Sequence, residues 1–486
     1  MADKRELSVA IIGAGAGGIM SAIKLRDSGI KKVVLFEKAA DLGGTWRDNT
    51  YPGLVCDVPS HLYRFSFAPN PDWSQTFSPG SEIYAYVRKV AEDNNAEEMI
   101  RYNSEVTKLE YNNKRWRVTT TQGDQGEFDV VVSAVGILHH PVYPDIPGLD
   151  SFKGDCFHSA RWNHDVSLKG KRVGIIGTGS TAVQIVGAIV DDVAHLSMFQ
   201  RTPQWVMNAP NLPVAEEDKA HYRAHPEEMS AMYDQLAATM NHGFAAAIVG
   251  DNAMALEKIQ EGCQQSLDQG VQDPELRAKL QPDYSAGCKR LIMSDRFYPA
   301  IQKPNAELVT DAIESIEPEG VRTRDGRLHA LDVLVLCTGF DPHRFLADAE
   351  VVGRNGQTLN EAWSQGNYAY KTICVPNFPN LFFLGGPNSP IGNFSYLMTA
   401  ERQFGYVEKL IGLLREGKLE EVTPKADVTA AFNQSIKDAM PQTVWASGGC
   451  QSWYYDRFGN VASWPWTFAK FEEDLSAPAL QDFEAA

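Results

Sequence analysis

Val9-Ala10-Ile11-Ile12-Gly13-Ala14-Gly15-Ala16-Gly17-Gly18 is an apolar run that breaks into glycines, and an amphipathic stretch follows it to about Ser28. A buried strand, a tight turn and a helix account for that order. The first glycine permits the turn, the second lets backbone approach a pyrophosphate, and the third position must be small so that helix packs on strand. A second strand is expected over 33–36, ending at Glu37. The plan recurs at Val173-Gly174-Ile175-Ile176-Gly177-Thr178-Gly179-Ser180-Thr181-Ala182, with a helix to about Val190, a strand over 195–199 and then Gln200-Arg201-Thr202. Glycine-rich turns also arise for purely structural reasons. Two copies, each between strand and helix, point instead to two dinucleotide sites. Gly13, Gly15, Ala16 and Gly18 are the candidate contacts in the first, and Gly177, Thr178, Gly179, Ser180, Thr181 and Ala182 in the second.

The residue that follows the second strand decides the ribose chemistry. At the same offset from the first glycine, one copy has Glu37 and the other Arg201, with Thr202 beside it. A carboxylate accepts hydrogen bonds from free ribose hydroxyls, whereas a guanidinium suits a 2′-phosphate. The first site therefore prefers FAD or NAD and the second NADP. The economical pairing is one FAD with one NADP(H).

Two further strands echo each other, at 128–136 and 331–339. In each, an aspartate (Asp129, Asp332) starts an apolar run and a glycine (Gly136, Gly339) follows at the same interval. They bracket the second copy, so the simplest topology inserts the second nucleotide domain into the first, with the proline-rich 141–147 stretch as one linker. The expected fold class is α/β, with two Rossmann-like domains, the NADP domain inserted into the FAD domain, and a helical excursion. The expected division is 1–145 for the first part of the FAD domain, 150–336 for the NADP domain with helices over about 213–281, and 340–486 for the rest. The helical stretch reads equally as a lid or as a spacer without chemistry. Asn380-Leu381-Phe382-Phe383-Leu384-Gly385-Gly386 reads as a buried strand before a helix from about Ser395, a strand end fit to face a flavin. The aromatic stretch from Trp445 to Trp466 yields no fold.

Composition narrows the function. The 486 residues are 43% hydrophobic and 22% charged, which fits a globular multidomain chain. A net charge of −17 argues against nucleic acid and anionic membranes as partners. Seven dispersed cysteines without a C-x-x-C pair suggest a reducing compartment, no disulfide framework and no redox-active pair. The start of the chain reads directly into a strand over 7–12, without a signal peptide, and no apolar run reaches the length of a membrane span. The expected location is cytoplasmic. His139-His140 has no partner at metal-ligand spacing, so no metal site is expected.

Four segments carry a family resemblance. Phe152-Lys153-Gly154-Asp155-Cys156-Phe157-His158-Ser159-Ala160-Arg161-Trp162 fits F-x-G-x-x-x-H-x-x-x-W, although Asn163 stands where Pro or Asp is usual. Gly43 to Asp57 fits [AG]-G-x-W-x-x-x-x-[FY]-P-[GM]-x-x-x-D at every specified position. Cys288-Lys289-Arg290-Leu291 and Gln451-Ser452-Trp453-Tyr454 complete the set. Over nearly its whole length the chain resembles class B flavin-dependent monooxygenases, and among them type I Baeyer–Villiger monooxygenases.

The resemblance implies an NADPH- and O2-dependent enzyme that converts ketones to esters or lactones through a C4a-peroxyflavin. Arg290 is then the catalytic residue, with Asp57 holding or modulating it. A fixed guanidinium meets the need to stabilise an anionic oxidant and an anionic adduct. Thr45, Trp46, Asp57, Tyr63 and Val106 join the flavin site, Lys289 joins Arg201 and Thr202 at the 2′-phosphate, and Trp453 helps close the nicotinamide site. His158 reads as a linker residue that couples domain motion. The alternatives are a flavin monooxygenase of sulfides or amines, and a non-oxygenating NADPH-dependent flavin reductase.

Overall fold

The computed structural model describes residues 5–484; the reading of residues 1–4 as a leaderless start lies outside them. In chain order, β1 (Ser8–Ile12), α1 (Ala16–Asp27), β2 (Lys32–Phe36), β3 (Ile100–Arg101) and β4 (Val130–Ser133) come first. There follow β5 (Asp155–His158), β6 (Arg172–Ile176), α2 (Ser180–Ile189) and β7 (His195–Phe199). Four helices then run together: α3 (Glu216–Ala224), α4 (Pro226–Met240), α5 (Ala253–Gly270) and α6 (Pro274–Leu280). The chain continues through β8 (Ala306–Val309), β9 (Val333–Leu336), β10 (Leu381–Phe383) and α7 (Tyr396–Arg415).

These strands form two parallel five-stranded sheets, ordered β10-β4-β1-β2-β3 and β8-β7-β6-β9-β5. The central strands are apolar on both faces because both are covered, as a parallel sheet requires. All five residues of β1 are buried, and α1 and α7 pack Ile19, Ile23, Phe404 and Leu410 into the same core. Helices α5 and α6 send Leu267 and Leu280 into the core of the second sheet.

The second nucleotide fold is inserted between β4 and β10 of the first. The two crossing segments run side by side: Val142 N donates to Gly339 O and Asp341 N to His140 O, both at 2.9 Å. The echoed aspartates have a shared job. Asp129 accepts from Ser8 N and Asp332 from Arg172 N, each at 2.8 Å, so each fixes the start of the central strand beside it. A four-stranded sheet escaped the sequence reading: Val106–Asn112, Arg115–Thr120 and Gly123–Phe128 pair antiparallel, with Glu350–Val352 beside them. Val106 opens its first strand.

Candidate active site

The first glycine turn is built by contacts that the glycines alone permit. Gly13 has φ +100°, and an added Cβ would lie 2.8 Å from Ala134 O. Gly18 admits no side chain either, since its Cβ would lie 1.9 Å from Gly13 O. Gly15 is different: its Cβ would meet only Gly44 Cα, at 3.7 Å. Nothing in the protein forbids a side chain there, so the space beside Gly15 suits close approach by a ligand. Glu37 lies at the end of β2, only 4% exposed. Its carboxylate accepts from Ala14 N and Ala39 N at 2.9 Å and from Arg47 Nη1 at 3.1 Å. A carboxylate has about four acceptor directions, so capacity is left for ribose hydroxyls. The short Thr45–Asp48 helix carries Trp46, whose ring meets Tyr63 edge-on at 5.5 Å.

The second turn repeats the logic, tight at its first glycine and open at its second. Gly177 has φ +124°, and its Cβ would lie 2.2 Å from Cys337 O. Around Gly179 a Cβ would meet nothing within 4 Å, so the protein leaves that space open to a phosphate. Thr178 Oγ1 donates to Thr202 O at 2.9 Å, which ties the turn to the end of β7. Thr181 Oγ1 lies 3.4 Å from Tyr51 OH, a residue of the first fold. Among the described residues neither Arg201 nor Lys289 forms an ion pair. Burial, and then the charge of Arg201, hold the Lys289 ammonium below the usual lysine range. Asp283 offsets that only in part, and two cations set together form a site that an anion relieves.

Between the two folds lies Arg290. Its Nε donates to Asp57 Oδ2 at 2.9 Å and its Nη2 to Asp57 Oδ1 at 2.6 Å, a bidentate pair. The Nη1 edge donates to Gly392 O at 3.1 Å. Burial, the largest single influence, lowers the pKa of this guanidinium, but the charge and hydrogen bonds of Asp57 together with Tyr454 outweigh it and the net shift is upward. The side chains of Arg290 and Asp57 are 27% and 26% exposed, so the clamp faces open space. That space is a single cavity of about 1280 Å³, lined by both glycine turns, Glu37, Arg201, Lys289, Arg290 and Trp453.

The family model for flavin-binding monooxygenase-like proteins matches residues 6–212. A Baeyer–Villiger monooxygenase of Streptomyces coelicolor is 39% identical over 480 residues, covering 98% of this chain and 92% of the relative. The chain belongs to the Baeyer–Villiger monooxygenase family. A monooxygenase of Mycobacterium tuberculosis is 43% identical over 469 residues, covering 96% and 94% of the two chains. Cyclohexanone monooxygenase from Rhodococcus sp. Phi1 bound to NADP+ superimposes with a TM-score of 0.85 at 29% identity, over 97% of each chain.

In this monooxygenase, Gly13, Gly15, Ala16, Thr45, Trp46, Asp57, Tyr63 and Val106 line the cavity, as do Gly177, Thr178, Gly179, Ser180, Thr181 and Thr202. Gly18 and Ala182 do not; they are buried where helix meets strand. No residue of α3–α6 reaches the cavity. Four contributors went unread in the sequence. Arg47 pairs with Glu37, Tyr51 bridges the two folds, the Gly392 carbonyl seats Arg290, and Tyr454 OH donates to that same carbonyl at 3.3 Å. Arg47 and Tyr51 sit inside the quoted Gly43–Asp57 motif and Tyr454 inside the quoted 451–454 segment, so their positions were visible while their contacts were not.

His158 is buried and packs against Tyr143 and Phe340, one from each crossing segment. Burial pushes its pKa down to about 4. The rings of His139 and His140 meet at 4.0 Å, tilted by 50°, on the cavity wall, and Asp348 comes within 3.3 Å of His140.

One expectation is overturned. The cysteines were read as unpaired, yet Cys288 and Cys450 form a disulfide. They are 162 positions apart, and only the packing of the 448–453 segment against the Lys289–Arg290 arm brings them together. Spacing along the chain carries no sign of that. The cysteine argument for a reducing compartment and against a redox pair falls with it.

Proposed function

We propose that this monooxygenase oxidises ketones to esters or lactones with NADPH and O2. FAD lies along the first turn with its ribose on Glu37, and NADP(H) along the second with its 2′-phosphate on Arg201, Thr202 and Lys289. The open spaces beside Gly15 and Gly179 and the nearness of the Arg201 and Lys289 cations support that fit. Bound FAD, once reduced by NADPH, supplies the electrons that activate O2. The chain's own residues do the rest. Asp57 and Gly392 O hold the Arg290 guanidinium in one orientation, leaving N–H donors free towards the cavity. Those donors stabilise the negative charge that develops on the substrate's carbonyl oxygen. Trp453 shields the nicotinamide end from water.

The observation that carries the reading is the Arg290–Asp57 clamp facing a cavity common to both nucleotide turns. The test is NADPH consumption over linear, cyclic and aryl ketones, with product identification, against an aryl sulfide and a no-substrate control. Ester or lactone in step with NADPH supports the reading. Sulfoxide alone, or hydrogen peroxide alone, overturns it in favour of a sulfide oxygenase or a plain reductase. The division into 1–145, 150–336 and 340–486 is proposed with it. Among the described residues no helix is long and apolar enough to cross a membrane. A cytoplasmic location, where NADPH is at hand, belongs to the same proposal.

A further inference from the structure

Two segments that line the cavity are joined by a covalent bond. Cys288 precedes Lys289 and Arg290, and Cys450 precedes Gln451, Ser452 and Trp453. Beside the disulfide, the second segment is seated by Tyr454, which is buried against Trp445, and by a few polar ties. Ser285 N donates to Gly448 O at 2.9 Å, and Tyr455 OH to Trp445 O at 2.9 Å. Tyr454 OH donates to the Gly392 carbonyl that also accepts from Arg290, so the segment and the guanidinium share one acceptor. Cys288 is wholly buried while Cys450 is half-buried, which leaves Cys450 as the sulfur that a small reagent can reach.

We propose that Cys288–Cys450 is a reversible dithiol–disulfide site, reduced by small dithiols and re-formed by hydrogen peroxide, that fastens the Trp453 segment over the cavity. It rests on the function proposed above, because hydrogen peroxide is what NADPH and O2 yield when oxygen does not reach a substrate. In reduction, a thiolate of the reagent attacks Cys450 Sγ, the S–S bond breaks, and Cys288 leaves as a thiolate that takes a proton from water. The second sulfur of the reagent then displaces Cys450. The protein gains two electrons and two protons, and the reagent ends as its own disulfide. In re-formation, the Cys450 thiolate attacks the peroxide, the O–O bond breaks, and one water leaves as a sulfenic acid forms. The Cys288 thiolate then attacks Cys450 Sγ and expels the second water. Two thiols and one peroxide give one disulfide and two waters.

With the bond open, the segment must be re-ordered each time nucleotide binds. The holoenzyme is assayed oxidised, and again after dithiothreitol and desalting, with thiols counted after denaturation: five in the first form and seven in the second. Reduction is expected to raise the dissociation constant for NADP+ and the KM for NADPH roughly tenfold, the factor that goes with ordering about one backbone residue. The share of NADPH that ends as hydrogen peroxide rises with them. Cys450→Ser should match the reduced enzyme and ignore dithiothreitol, and Cys288→Ala should do the same. Equal NADP+ affinity in the two redox forms overturns the proposal, as does a dithiothreitol effect that survives in Cys450→Ser. So does a count of seven thiols that peroxide treatment does not lower. NADP+ affinity is read without any ketone. A protein that makes no ester yet shows the redox shift therefore breaks the function proposed above and not this site, and the reverse result breaks only this site.

Discussion

The two nucleotide folds use one backbone plan and end it differently. Both open with a glycine whose Cβ would strike a carbonyl of the neighbouring strand, Ala134 in one and Cys337 in the other. Both follow with a glycine that the protein itself does not require. The contrast begins at the third position, where Gly18 has no room for a methyl group and the second fold accommodates Ala182. It sharpens at the end of the second strand. Glu37 is buried and bound by two backbone amides and Arg47, whereas Arg201 is exposed and shares its neighbourhood with another cation. A buried carboxylate needs such partners in order to stay ionised. An exposed cation needs none, and so stays available to a phosphate. The same fold therefore yields a site completed within the protein and a site that waits for its ligand.

Arg290 lies outside both glycine turns, and its removal should have the largest effect. Losing one preorganised donor of this kind costs about 3–4 kcal/mol, or two to three orders of magnitude in rate. Arg290→Ala should bind both nucleotides and make almost no ester, with residual NADPH turnover appearing as hydrogen peroxide. Arg290→Lys should rescue little, since an ammonium cannot reproduce the bidentate pair with Asp57. Wild-type ester yield from Arg290→Ala would remove the clamp from the chemistry.

The third-glycine contrast comes next. Gly18→Ala forces a methyl group against Gly13 O, and overpacking of this sort costs about 1–3 kcal/mol or more. Thermal melting and flavin content should both fall, the second because the turn itself moves. An unshifted melting curve with full flavin would mean that the first fold is as tolerant as the second.

Arg201→Ala is the corresponding probe of the second strand's end. Losing one charge-assisted contact at an exposed site should raise KM for NADPH about tenfold, near 1.4 kcal/mol, and leave KM for NADH almost unchanged. Equal losses for both nucleotides would place Arg201 away from the 2′-phosphate and erase the contrast with Glu37.

The smallest effect on nucleotide binding belongs to Ala182→Gly. That change removes one buried methyl group and adds backbone freedom in a helix, together about 1.5–2 kcal/mol of fold stability. Melting should drop by a few degrees while both nucleotides still bind. A collapse as deep as that of Gly18→Ala would show that the two turns are not packed differently.

What the sequence by itself determined is what short-range order encodes. Apolar runs broken by glycines mark the strand–turn–helix units at 8–27 and 172–189, and the residue after each second strand carries the opposite charge in the two copies. The Asp129 and Asp332 echoes mark the two strands that border the insertion. These features depend on neighbours a few positions away, so periodicity and residue type suffice to read them. The Arg290–Asp57 association came from motif resemblance, and the structure brings the two side chains into contact.

Only the tertiary structure decided which distant segments meet. Asp57, Arg290, Gly392 and Trp453 come from four places along the chain, and no local pattern sets the distances among them. The Cys288–Cys450 bond shows this best. Each cysteine looks solitary in its own segment, and the pair exists because the loop after the Val444–Ser447 helix folds back over the Arg290 arm. Chain connectivity limits such an approach only weakly, since loop closure grows costlier only slowly with length. The pairing is therefore set by packing, and packing is not written at any one position.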